Sequence, residues 1–122
     1  MILYAAPKFK EEFPNLANIE QFKYLSMQQW VIVASKGRAV KWDAIFTPVS
    51  LKHAQEIFAL QPPEKQDKFE SLYKTGLIEM PIVYSYRNKN DIKLYEILGG
   101  RLRAQGMLAK GEVPYLWLID NC

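Results

Sequence analysis

The chain has 122 residues, of which 49% are apolar and 24% charged; this is the balance of one globular domain with enough length for a real core, and it excludes general disorder. The formal charge of +3 is spread among acids, as where Lys8 and Lys10 adjoin Glu11 and Glu12, so it permits nucleotide or nucleic-acid binding without the dense basic stripe of a dedicated DNA binder. A single cysteine, Cys122, and a single histidine, His53, leave no intrachain disulfide, thiolate cluster or His-rich metal site.

Residues 1–6 are apolar but lack a basic flank and stop at Pro7-Lys8, too short for a signal core or a membrane span, so a cytoplasmic location is expected. A helical stripe through Ile19, Phe22 and Leu25 predicts a short helix over 18–27. Residues 30–34, Trp-Val-Ile-Val-Ala, are aromatic and β-branched and end at the turn signal Lys36-Gly37-Arg38. They read as a strand, paired in a hairpin with 39–46. Thr47-Pro48 stops the second of these strands. Ser50 suits an N-cap for a helix over 51–60, where Leu51, Ala54, Ile57 and Phe58 recur at helical spacing. Pro62-Pro63 ends that helix and starts another over 63–74, which Gly76 closes.

Residues 79–86 read as a strand entered through Pro81, 87–91 as a polar turn, and 92–98 as the returning antiparallel strand. That strand breaks on Gly99-Gly100, and a helix follows over 101–109 with Ala104, Met107 and Leu108 on its apolar side and Arg101 and Arg103 on opposite flanks. Residues 113–119 are nearly continuous in apolar character, the pattern of a strand buried on both faces. The chain is therefore expected to be a compact α/β domain, a small mixed sheet with flanking helices. The Gly-Gly break is where it looks built to hold an anion. Glycines let backbone approach a ligand closely, and a helix start offers unpaired N–H groups and the positive end of the dipole. Arg101 and Arg103 can both reach around that end with fork-shaped hydrogen bonds.

The order strand, polar hairpin, strand, Gly-Gly-x-x-Arg helix, strand resembles the ParB/sulfiredoxin-like superfamily. The residues that carry the resemblance are Gly76 to Val83, which correspond to the family's Gly-x-x-x-Pro-Ile-x-Val segment, and Gly99-Gly100-Arg101-Leu102-Arg103. More loosely, residues 40–48 resemble the family's opening strand and its proline turn. The resemblance implies a ParB/sulfiredoxin-like domain over 40–122, with 1–39 as an N-terminal extension packed on it. It also implies a nucleotide-phosphate site for ATP, ADP or CTP at Gly99, Gly100, Arg101 and Arg103, bordered by Thr47, with Mg²⁺ as the accompanying metal. Arg103 matches the motif arginine. Arg101 and Leu102 stand where sulfiredoxins carry cysteine and histidine, so thiol reductase chemistry is not expected. The helix-turn-helix region of the family's partition proteins does not follow the last strand, so centromere clamping is not expected either. Small phage-encoded members acting near DNA, and members that phosphorylate hydroxyl compounds, are closer in size.

A phosphotransferase needs a carboxylate to deprotonate the attacking hydroxyl and to help hold magnesium. Asp43, Glu56, Glu79 and Glu96 are the candidates. Glu56 leads because the helix after Thr47-Pro48 borders the nucleotide pocket in the family, and His53 lies one turn earlier on the same helix. Two functions are expected from this reading. One is phosphoryl transfer or nucleotide hydrolysis. The other is a non-catalytic module of the same fold that binds DNA or a protein.

Overall fold

In the computed structural model, which describes residues 2–121, the N-terminal third departs most from expectation. The Ser26 hydroxyl accepts from the Gln29 N–H while the Gln29 side chain accepts from the Ser26 N–H, and this reciprocal cap starts α2 (Met27–Ser35). The Trp-Val-Ile-Val-Ala run is thus helical and not a strand. Trp30 and Ala34, one turn apart, are the buried residues of that helix, and their burial outweighs the few tenths of a kcal/mol per residue by which β-branched side chains disfavour helix. No hairpin with 39–46 forms. Instead β2 (Arg38–Lys41) pairs antiparallel with β6 (Tyr115–Ile119), and Trp42–Ala44 makes a 3-10 turn. The helix expected over 18–27 is absent as well. Helix α1 (Phe9–Glu12) and a 3-10 segment, Phe13–Asn18, occupy the stretch before it, and Phe22 is buried from within a turn.

Where the chain carries strong local punctuation, the elements form as expected. The Ser50 hydroxyl accepts from the His53 N–H at 3.2 Å and starts α3 (Leu51–Ala59). Helix α4 (Pro63–Thr75) begins on a proline and ends at Gly76, whose φ of 74° lies in the left-handed region. The strand expected over 79–86 is divided at Met80-Pro81, because a proline has no N–H with which to continue a ladder. Its first part, β3 (Leu77–Glu79), pairs parallel with β1 (Leu3–Ala5) in a separate two-stranded sheet. The second part, β4 (Ile82–Arg87), runs antiparallel to β5 (Lys93–Gly99) and parallel to β6. The larger sheet therefore has the order β2-β6-β4-β5 and is mixed. Strand β6 is interior, with Leu116, Leu118 and Ile119 buried, and α5 (Arg101–Ala109) is the crossover that brings the chain from β5 to β6.

Three apolar clusters hold these parts. Leu16, Phe22, Trp30 and Ala34 pack on one face of the large sheet against Ile82, Tyr84 and Ile119. Val83, Leu116 and Leu118 on the other face lie under Val40, Trp42, Ile45 and Phe46. Phe69, Ile78 and Met107 join α4, β3 and α5. This last cluster fixes α5 relative to the small sheet. No helix among the described residues is long and apolar enough to cross a membrane, and Cys122 lies outside the described residues.

Candidate functional site

Strand β5 ends at Gly99 and α5 begins at Arg101, so Gly100 alone makes the turn between them, at φ 89°. Glycine is required there twice over. Its φ is one that a side chain makes costly, and a Cβ would fall 2.6 Å from Arg103 Nη2 and 2.8 Å from Pro81 Cα. The N-cap residue, Gly100, has no side chain with which to cap α5, so the N–H groups of its first turn and the positive end of its dipole lie at this turn. Against this turn lies a carboxylate from the N-terminal segment. A Cβ at Gly99 would fall 2.6 Å from Glu12 Oε1, and Glu12 also accepts from Asn15 Nδ2 at 3.1 Å.

The two arginines of the turn go to different places. Arg103 is half-buried, and its Nε donates to the Glu79 carbonyl at 3.0 Å. This bond aims the guanidinium along Gly100, and its Nη groups make no hydrogen bond or ion pair among the described residues. Arg103 also lines a cleft of about 450 Å³, together with Lys8, Lys68 and Glu79 and with Leu72, Leu77 and Ile78 as its apolar part. Lys8 Nζ lies 3.5 Å from Glu79 Oε1. Arg101 is exposed and lines a smaller cleft, about 140 Å³, walled by Trp42, Val49, Ala54, Ile57 and Ile97. Successive positions on a helix differ by about 100°, so two residues of separation carry the side chains to opposite sides. The two side chains line different clefts.

The other sequence candidates are dispersed. Thr47 is exposed in the segment before α3, and its carbonyl accepts from Trp42 Nε1 at 3.2 Å. It thereby braces the tryptophan that walls the Arg101 cleft. Glu56 is exposed; Ala54 and Ile57 are the α3 residues that face the Arg101 cleft, and Glu56 is about 200° and 100° round from them. His53 is exposed too, one turn earlier on the same helix. Asp43 is exposed on the 3-10 turn and Glu79 is paired with Lys8. Glu96 stands opposite Tyr84 in the β4–β5 ladder and accepts its hydroxyl at 2.9 Å. Sequence reasoning missed Lys8, Lys68 and Glu12 as site residues, since each sits among opposite charges and reads as a solvated surface residue.

Burial of the Tyr84 ring, and secondarily its hydrogen bond to Glu96, push the phenol up to about 12. An unfolded tyrosine titrates near 10, so the folded state holds the proton where the unfolded one releases it. The stability this contributes is complete below about pH 10 and is lost as pH rises toward 12. Alkaline titration followed by tyrosinate absorbance should show a late-ionising phase that Tyr84→Phe removes, together with a falling urea midpoint. A late phase unchanged in Tyr84→Phe would contradict the assignment.

Among the described residues no three of His, Cys, Asp and Glu come together as a metal-holding group. The donor set around Arg103 suits an anion, and a magnesium ion would be held mainly by the phosphates of a ligand. Fold and site together define an α/β domain whose uncapped strand-to-helix turn opens beside a cationic cleft. Comparison with protein-family models, with curated proteins and with solved structures finds no match.

Proposed function

We propose that this chain binds the phosphate groups of a nucleotide, ATP, ADP or CTP, at the turn Gly99-Gly100 and Arg103, in the manner of a small ParB/sulfiredoxin-like domain. The observation that carries the proposal is Arg103. A half-buried guanidinium is aimed by a backbone carbonyl, packed on the glycine of an uncapped helix start, and left with both Nη groups unpaired among the described residues. A phosphate there would take fork-shaped, charge-assisted bonds and the helix dipole at once. Mg²⁺ enters on the nucleotide, and Arg101 serves the neighbouring apolar cleft.

Binding without turnover is the form of this function that the site favours. The leading carboxylate, Glu56, is exposed on α3 and turned from the cleft-facing side of its helix. The carboxylate nearest the turn, Glu12, is a candidate base if hydrolysis or phosphoryl transfer does occur. Calorimetric titration of the full chain with ATP, ADP and CTP in the presence of Mg²⁺, followed by a phosphate-release assay, separates these outcomes. Arg103→Ala is expected to weaken nucleotide binding about 10- to 150-fold, the equivalent of a lost hydrogen bond to a charged group at about 1.5–3 kcal/mol. An absence of nucleotide binding alongside salt-sensitive DNA binding would replace the proposal with a DNA-binding module.

A further inference from the structure

The cleft beside Arg103 is assembled from four separate parts of the chain. Lys8 comes from the segment after β1, Glu79 from β3, Lys68 from α4 and Arg103 from α5. Three cations and one carboxylate line about 450 Å³, a volume in the range of small-molecule sites. The single carboxylate is engaged, since Glu79 pairs with Lys8 at 3.5 Å. Lys68 makes no ion pair or hydrogen bond among the described residues. A second feature sets the site apart from a solvated charge cluster. Part of the lining is apolar, formed by Leu72 and by Leu77, which is exposed. Cations around an apolar wall suit a ligand that has an anionic end and an apolar or planar body.

We infer that the ligand reaches from the Gly100 turn into this cleft and is an organic phosphate of nucleotide size. Its phosphates lie along Arg103, Lys68 and Lys8, and its body lies on the Leu72–Leu77 wall. The inference rests on the phosphate-binding reading above and assigns Lys8 and Lys68 as binding residues. On binding, Lys8 exchanges its 3.5 Å contact with Glu79 for the ligand phosphate. Because β1 is held by its parallel pairing with β3, occupation of the cleft also fastens the N-terminal segment to the rest of the domain.

The test uses the full chain, titrated by calorimetry with ATP and separately with inorganic pyrophosphate. Three variants are compared: Lys68→Glu, Lys8→Glu, and Lys52→Glu, which makes the same charge change at an exposed position on α3. All three sites are exposed, so the variants are expected to fold, and melting curves check that they do. Lys68→Glu and Lys8→Glu are each expected to weaken ATP binding at least tenfold more than Lys52→Glu, and ATP is expected to bind more tightly than pyrophosphate. If Lys68→Glu and Lys8→Glu behave as Lys52→Glu does while Arg103→Ala still weakens binding, the cleft assignment is overturned and the phosphate turn survives. If pyrophosphate binds as well as ATP, the apolar wall holds no ligand body and the inference fails in that part. If the unmodified chain binds neither probe, or binds an acidic peptide in their place, both readings fall.

Discussion

Replacing Trp30 by alanine is expected to remove roughly 3–5 kcal/mol of stability, the range for deleting a large aromatic side chain from a packed core. The indole is fully buried. It meets Phe22 edge-on with ring centroids 5.2 Å apart, and Phe22 in turn meets Tyr84 at 5.4 Å. Its Nε1 donates to the Phe9 carbonyl at 2.7 Å, across 21 positions of sequence. Alanine would therefore leave a cavity between α2 and the sheet and also an unpaired carbonyl at the start of α1. Trp30→Phe keeps most of the volume and loses only the hydrogen bond, so it should cost about 1–2 kcal/mol, near the penalty of a single unsatisfied buried group. Urea unfolding measures both variants. A loss below about 1 kcal/mol for Trp30→Ala, at an unchanged denaturant slope, would mean that α2 does not anchor the N-terminal segment.

Gly100→Val is expected to cost roughly 2–5 kcal/mol, combining a β-branched residue at positive φ with steric overlap. The φ of 89° is the first cause. The second is that a Cβ has no room between Arg103 Nη2 at 2.6 Å and Pro81 Cα at 2.8 Å, and the Pro81 backbone cannot swing aside as a long side chain can. Displacing Arg103 would also remove the group proposed to hold phosphate, so nucleotide binding should fall with stability. Gly99→Ala provides the contrast. There the atoms nearest the Cβ are those of the Glu12 carboxylate, the end of a flexible side chain. That variant should stay within about 1 kcal/mol of the parent, as surface substitutions away from special backbone usually do. Equal losses at the two glycines would show that the turn is not organised around Gly100 and Arg103.

Much of the fold was legible because its signals are local. A serine three residues before a bonded N–H, a proline in the first turn of α4, glycines at positive φ and an apolar run at the C-terminal end of the chain each act within a few residues of themselves. Helix α2 was misread although its cap, Ser26 and Gln29, was in plain view. The β-branched run outweighs the cap when only propensity is considered, and burial of Trp30 and Ala34 reverses that order. Strand β1 is three residues long, too short for periodicity to reveal, and it exists through its pairing with β3.

The candidate site divides along the same line. The sequence by itself determined the turn, because Gly99, Gly100 and the helix after them are contiguous and obey backbone sterics that no distant residue is needed to explain. It also marked Arg103 as the arginine to watch. Only the tertiary structure decided which charges stand around that arginine. Lys8, Lys68 and Arg103 are distant in sequence and come together because β1 lies parallel to β3 and Phe69 packs α4 onto α5, where a Cβ at Gly106 would fall 2.5 Å from the ring. The same packing left Glu56 on an exposed face and sent Arg101 to a different cleft. Charge is a property of residues, but a binding site is a property of distances, and those are set by the close packing of the core.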